Sequence, residues 1–382
     1  MSTNRFAALL IALSTSTLFP NIASAGPWSI YEIGNLGGTE TSVYGINSRG
    51  QVVGQSDLVG DRIQHAFLTG INGVGITDLT PASNIGTSGR DINASGQIIG
   101  NLDATFSTGN RGFITNANGA ALTAIGTFPS QRTIVFGLND LGQAVGDFLP
   151  AAGSSRRAFV TDSSGLILTE LGTLGGNTSR ARDLNDRGQI IGRSSVADTT
   201  QGFHAFITGA NGVGMRDLGT LGGNYSEAFD INSSGQVIGV STLANSPFER
   251  VFITGPDGVG MVDIGSGLSS FYSFAGSINS SGQVAGYFAL DADELVIHAF
   301  VTAANGAGAV DLNSLVTLAD GNYFTYASGI NDRGQIVANS ASGRAYLLTP
   351  SSVPEPGSFS MLLTGMGLAG FVSRQRMANH KT

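Results

Sequence analysis

The feature that most constrains this chain is a short phrase written seven times. It runs Ile or Leu, then Asn, two residues that are small or polar in all copies but one, then Gly-Gln, and its asparagines are Asn47, Asn93, Asn139, Asn185, Asn232, Asn279 and Asn331. Their spacings are 46, 46, 46, 47, 47 and 52 residues. A second phrase, centred on an aromatic residue, keeps step at 65–69, 111–115, 157–161, 204–208, 250–254 and 298–302, and last as RAYLLT at 344–349. A third short apolar element closes six of the copies, as in Ile76–Leu79, Leu168–Leu171 and Met215–Leu218. Repeats at such a period mean one supersecondary unit multiplied, each copy covering its neighbour's apolar face.

Each unit reads as four short strands divided by glycine-rich turns. Glycine numbers 56 of 382 residues and proline only 10, so the glycines mark tight turns rather than a collagen period or a proline-rich linker. The Asn-x-x-Gly stretch predicts a hairpin turn, in which Asn bonds its own backbone and Gly takes positive φ. The pairs are Asn47 with Gly50, Asn93 with Gly96, Asn139 with Gly142, Asn185 with Gly188, Asn232 with Gly235, Asn279 with Gly282 and Asn331 with Gly334. Four strands at a period near 46 fit a propeller blade. The residue four before each Asn is small or β-branched (Val43, Gly89, Val135, Ala181, Ala228, Ala275, Ala327), as an inner strand near a crowded axis requires.

The seventh copy stops at Thr349, before a fourth strand. Residues 28–33 look like that missing strand, so the expected fold is an all-β, seven-bladed propeller of four-stranded blades closed by an N-terminal strand. An open solenoid such as a β-helix is the alternative. Closure would leave no terminal edge to recruit neighbours.

Both ends read as addresses. Arg5, the apolar run Phe6–Leu13 and the small residues Ala23-Ser24-Ala25 predict a signal peptide over 1–25. The repeat domain then covers 26–349 and a sorting tail 350–382. Val353-Pro354-Glu355-Pro356, the apolar stretch 358–372, and Arg374 with Arg376 resemble the PEP-CTERM sorting signal of Gram-negative bacteria. That resemblance implies processing by an exosortase as well as by the export signal peptidase, in the setting of exopolysaccharide-producing cells. It implies transient inner-membrane anchoring through a short transmembrane segment, 358–372, and a final place at the cell surface or outside. The repeats themselves resemble the HAF-type extracellular repeat family. The matching parts are the Leu-Gly-Thr-Leu-Gly-Gly turns at 171–176 and 218–223, the Asn-x-x-Gly-Gln turns, and His65, His204 and His298 at the start of the aromatic phrase. This family implies export and architecture, without a reaction.

Composition removes several function classes. A formal charge of -8 argues against nucleic acid, which wants a basic surface. The absence of cysteine excludes disulfides, thiolate metal sites and Cys nucleophiles. The phrase from Asp91 imitates an EF-hand start, but Leu102 stands where a bidentate carboxylate is needed, so a turn is the reading. Calcium elsewhere, for example at 291–294, stays open. Three histidines could hold zinc. At equivalent positions of different repeats, where other copies carry Arg, they point to a structural role instead. No Gly-x-Ser-x-Gly elbow announces a serine nucleophile. No cofactor, catalytic residue or metal ligand is expected.

Binding candidates come from the residue three before each Asn. Tyr44, Arg90, Phe136, Arg182 and Phe229 stand there, with Gly276 and Ser328 in the last two copies. Aromatic and Arg side chains stack on sugars or grip acidic polymers; packing between blades explains them about as well. Irregular loops after the second strand (56–64, 101–110, 148–156, 193–202, 288–297) individualise one face. The expected function is a noncatalytic surface or matrix protein that binds a polysaccharide or envelope protein through that face. The alternative is a polysaccharide hydrolase or lyase with Asp91, Asp183 and Asp230 at the channel mouth.

Overall fold

The computed structural model describes residues 24–25, 28–60, 63–102, 111–126, 132–150, 155–166, 168–198, 202–268, 271–293 and 296–351. These form seven antiparallel sheets, six of four strands and one of five. The chain is a seven-bladed β-propeller.

Blade 1 shows the pattern: Gly37–Ile46, Val52–Leu58, Gln64–Leu68 and Thr77–Asp78 pair in sequence order. The first turn follows from its residues. Asn47 Oδ1 accepts from the backbone N–H groups of Arg49 and Gln51, both at 3.0 Å. Gly50 N–H donates to Asn47 O at 2.9 Å and takes φ 73°, the left-handed conformation that glycine adopts freely. The second turn uses Asn72 at φ 56° followed by Gly73 at φ 74°, the two left-handed residues of a type I′ hairpin.

The seventh blade is built from both ends of the domain. Phe324–Ile330, Ile336–Ser340 and Ala345–Pro350 come from the last repeat. Trp28–Ile33 adds the fourth strand, in register from Trp28 opposite Pro350 to Ile33 opposite Ala345. Ser24–Ala25 adds a short fifth strand against Trp28–Ser29. The rest of the expected signal peptide, the sorting tail from 352 and its apolar stretch 358–372 lie outside the described residues. Among the described residues no helix is long and apolar enough to cross a membrane.

The core is divided by interface. Seven apolar clusters each join two adjacent blades, as Val53, Ala66 and Leu68 of blade 1 meet Ile92, Ile98 and Phe113 of blade 2. The aromatic phrase supplies a fully buried Phe in six blades: Phe67, Phe113, Phe159, Phe206, Phe252 and Phe300. In blade 1 that ring covers Gly54 of the second strand, where a Cβ would stand 1.9 Å from Ser42 O. The closing Gly of Gly-Gln-x-x-Gly thus permits the close approach of strand to strand. The small residues four before each Asn are buried in these interfaces rather than lining the axis.

Candidate functional site: the central channel and its two faces

Antiparallel order places all Asn turns on one face. The ends of the second strands and the starts of the third lie on the other, among the described residues. Between them runs the channel, lined by the ends of the first strands.

The repeated Asn does more than form its turn. Asn47 Nδ2 donates to Asn93 O, and Asn93 to Asn139 O, at 3.0 and 3.1 Å. The sequence continues through Asn185, Asn232 and Asn279 to Asn331 at 3.1–3.3 Å. Asn331 Nδ2 returns to Asn47 O at 3.0 Å. A closed belt of seven hydrogen bonds therefore joins every blade to the next. Each Asn Nδ2 also donates to the Gln four residues on, as Asn232 does to Gln236 at 2.9 Å.

The residue three before each Asn is a β-bulge in all seven blades, because the ladder skips Tyr44, Arg90, Phe136, Arg182, Phe229, Gly276 and Ser328. A bulge re-aims its side chain. All seven of these residues line the channel. The Arg90 guanidinium lies 4.7 Å from the centroid of the Tyr44 ring. Arg182 sits between Phe136 and Phe229, at 4.6 and 5.4 Å, and bonds Glu227 at 2.6 Å. Three of the five candidates are thus engaged with one another, while Tyr44 and exposed Arg90 form a separate pair. Gly276 and Ser328 leave the ring open between blades 6 and 7.

One position further on stand Asp91, Asp183 and Asp230. Asp91 accepts from Ile92 N–H at 2.7 Å and from Leu138 N–H of the next blade at 2.8 Å. Asp230 does the same with Ile231 and Ile278, at 2.7 and 2.8 Å. Asp183 accepts from Ile231 N–H at 3.2 Å. Each carboxylate is a clamp between blades. Burial pushes Asp91 up to about 6 despite the pull of its two backbone donors. Burial, then the Asp230 carboxyl to which it is hydrogen-bonded, holds Asp183 well above the usual carboxylate range.

Raised native pKa values make the fold bind protons more tightly than the unfolded chain does. Their stabilisation is complete below the ordinary value of 3.8 and is lost as pH rises through the native value, about 6 for Asp91. Asp183→Asn keeps an acceptor for Ile231 N–H and gives Asp230 a permanent donor. Its melting temperature should exceed that of the parent at pH 8, by the equivalent of about 1–2 kcal/mol, and match it near pH 4. Equal melting at both pH values would exclude a raised proton affinity of Asp183 in the folded protein.

The opposite face carries two unlike halves. On blades 3–5, Asp147 pairs with Arg156 and Arg180, and Glu227 with Arg182 and Arg193. Burial pushes Glu227 up, but the two guanidinium groups and the Tyr225 hydroxyl together hold it below the usual range. On blades 6 and 7 the corresponding positions are aromatic, Phe274 and Tyr326, and Phe248 of blade 5 joins them. Neither the Arg–acid network nor this aromatic half is evident from single repeats. Aligning the seven copies would expose Arg180 and Glu227 five before their asparagines, in one column with Phe274 and Tyr326.

The histidines of the aromatic phrase hold the fourth strand. His65, His204 and His298 meet Asp78, Asp217 and Asp311 through Nδ1 at 2.8, 2.8 and 2.7 Å. Arg157 and Arg344 make the equivalent contact with Glu170 and Glu32, both at 3.4 Å. Among the described residues no group of three or more His, Cys, Asp or Glu could hold a metal ion.

These features define a β-propeller whose channel is pinned by repeat residues. Residues 352–376 match the PEP-CTERM protein-sorting motif. The motif implies a secreted protein with a C-terminal membrane-anchoring sorting signal that an exosortase processes. No curated protein matches the chain. Solved structures share the fold. An oligogalacturonate lyase in complex with manganese has 14% identity and TM-score 0.57, covering 87% of this chain and 96% of its own. The oligogalacturonate lyase of Vibrio parahaemolyticus has 13% identity and TM-score 0.53, with coverages of 86% and 94%. The virginiamycin B lyase of Staphylococcus aureus has 11% identity and TM-score 0.52, with coverages of 84% and 99%. At these identities the likeness concerns fold alone.

Proposed function

We propose that this protein is a noncatalytic component of the cell surface or extracellular matrix, which binds a polysaccharide or envelope protein through the loop face of its propeller. In this reading the signal peptidase and an exosortase process its two ends, and the repeats are of the HAF type. The observation that carries the proposal is the division of labour around the channel. The Asn belt and the Asp clamps are spent on joining blades, whereas Tyr44, Arg90 and the aromatic half of the loop face remain accessible. Irregular loops on a regular scaffold are where recognition resides.

A hydrolase or lyase is the second reading, favoured by the raised pKa of Asp91 in the channel wall. Against it, both oxygens of Asp91 and of Asp230 already accept backbone N–H groups. A general acid or base must lie within hydrogen-bond reach of the substrate, whereas these carboxylates are held against the backbone of their own and the next blade.

The purified exported chain should be incubated with an array of bacterial exopolysaccharides, reading retention and reducing-end release together. Retention without release is expected. Release abolished by Asp91→Asn would replace this reading with the enzymatic one. Neither retention nor release would leave a protein ligand, to be sought by cross-linking at the cell surface.

A further inference from the structure

The aromatic half of the loop face is a continuous track. Phe271 meets Phe248 edge-on, with centroids 5.7 Å apart, and Phe248 meets Tyr272 at 5.0 Å. Tyr272 stacks on Phe274 at 6.4 Å, and Phe274 on Tyr287 at 4.9 Å with 12° between the planes. Tyr287 then meets Tyr326 at 4.7 Å. These six rings come from four segments of blades 5, 6 and 7, and none of them is buried. Tyr326 is 41% exposed. A hydrophobic core would enclose such rings; here the ordinary core of each interface is made by other residues beneath them.

The track ends in a cleft of about 460 Å³. Tyr44, Tyr287 and Tyr326 line it. Gly276 and Ser328, the two small members of the bulge ring, form part of its wall. Were they aromatic or Arg, as at the other five bulges, this space would be filled. The remaining lining is small and uncharged: Thr and Ser residues and Asn339, beside Ala327 and Gly343. The arginines Arg180, Arg182 and Arg193 of this face are paired with Asp147 and Glu227 on blades 3–5.

We propose that this track and cleft are a binding site for an uncharged saccharide chain. The inference rests on the surface-binding reading above and names the ligand class for that face. Sugar rings present one apolar face of C–H groups and a rim of hydroxyls. They match exposed aromatic faces interspersed with small polar side chains, and the cleft is within the size range of small-ligand pockets. An uncharged lining gives an acidic polymer no counter-charge, so a neutral chain is the complementary partner. The linear run of rings suits a polymer better than a single sugar.

Binding of a neutral β-glucan hexasaccharide, a neutral α-glucan hexasaccharide and a polygalacturonate oligomer would be measured by calorimetry. The proteins are the parent and its Tyr326→Ala, Tyr287→Ala, Tyr326→Phe and Arg90→Gln variants, each shown to melt as the parent does. A neutral glycan should bind the parent. Tyr326→Ala and Tyr287→Ala should each weaken it about tenfold or more, while Tyr326→Phe changes it less than about threefold. Neutral-glycan binding that survives both alanine variants would overturn the inference. So would binding confined to polygalacturonate and lost in Arg90→Gln, although surface binding as such would then stand. No retention of any glycan here or on the array would sink this inference and the polysaccharide arm of the proposed function together.

Discussion

The chain lacking Trp28–Ile33 is expected to lose its single cooperative melt and to associate. That strand fills the edge of Ala345–Pro350 with six residue pairs. It also buries Ile30 and Ile33 at 5% and 3% exposure, in the two interfaces that flank blade 7. Burying two such side chains contributes about 3–6 kcal/mol, against a total stability of about 5–15 kcal/mol for a folded domain. The exposed edge would then be a template for strand addition. Size-exclusion chromatography and a thermal melt check this. Restoration of the monomer by a peptide of residues 24–34 added in trans would establish that the lost strand itself is responsible. A monomer melting as the parent does would show that six and three-quarter blades suffice.

Asn232→Ala should cost about 3–5 kcal/mol, read as a shift of the urea midpoint with unchanged slope. Asn232 is 5% exposed. Its Oδ1 accepts from Ser234 N–H and Gln236 N–H at 3.1 and 3.0 Å, and its Nδ2 donates to Gln236 Oε1 and Asn279 O at 2.9 and 3.1 Å. Alanine leaves those partners enclosed and unmatched, and breaks the belt between blades 5 and 6. Asn232→Asp separates the two roles of this residue. It keeps the acceptor of the turn but sets a carboxylate oxygen against two acceptors. Its stability should fall below that of the parent increasingly from pH 4 to pH 8, as the carboxyl ionises. If Asn232→Ala costs under about 1 kcal/mol, the belt marks the geometry of the channel without stabilising it.

The repeats themselves determine the blade count, the four-strand unit and the closing strand. Their information is local: a period, a turn that needs Asn and Gly, and a seventh copy whose fourth strand is written at the other end of the domain. Hydrogen bonding of Asn to its own turn could be inferred from two residues and a spacing. The belt from Asn47 round to Asn331 could not, because its bonds link residues 46 to 284 positions apart through the ring's closure. The bulges were equally hidden. Tyr44, Arg90, Phe136, Arg182 and Phe229 stand out in sequence as a column, but only the strand pairing reveals that each is skipped by the ladder and turned into the channel. Asp91, Asp183 and Asp230 show acidity in sequence. Their use as clamps depends on donors from the neighbouring blade, and the raised proton affinity of Asp91 and Asp183 depends on burial in the assembled channel wall. The aromatic track is the extreme case: Phe248, Phe271, Phe274, Tyr287 and Tyr326 belong to different strands and loops of three repeats. Only the radial stacking of blades brings their rings to van der Waals distance, because a propeller converts equivalent positions in successive repeats into neighbours on one face.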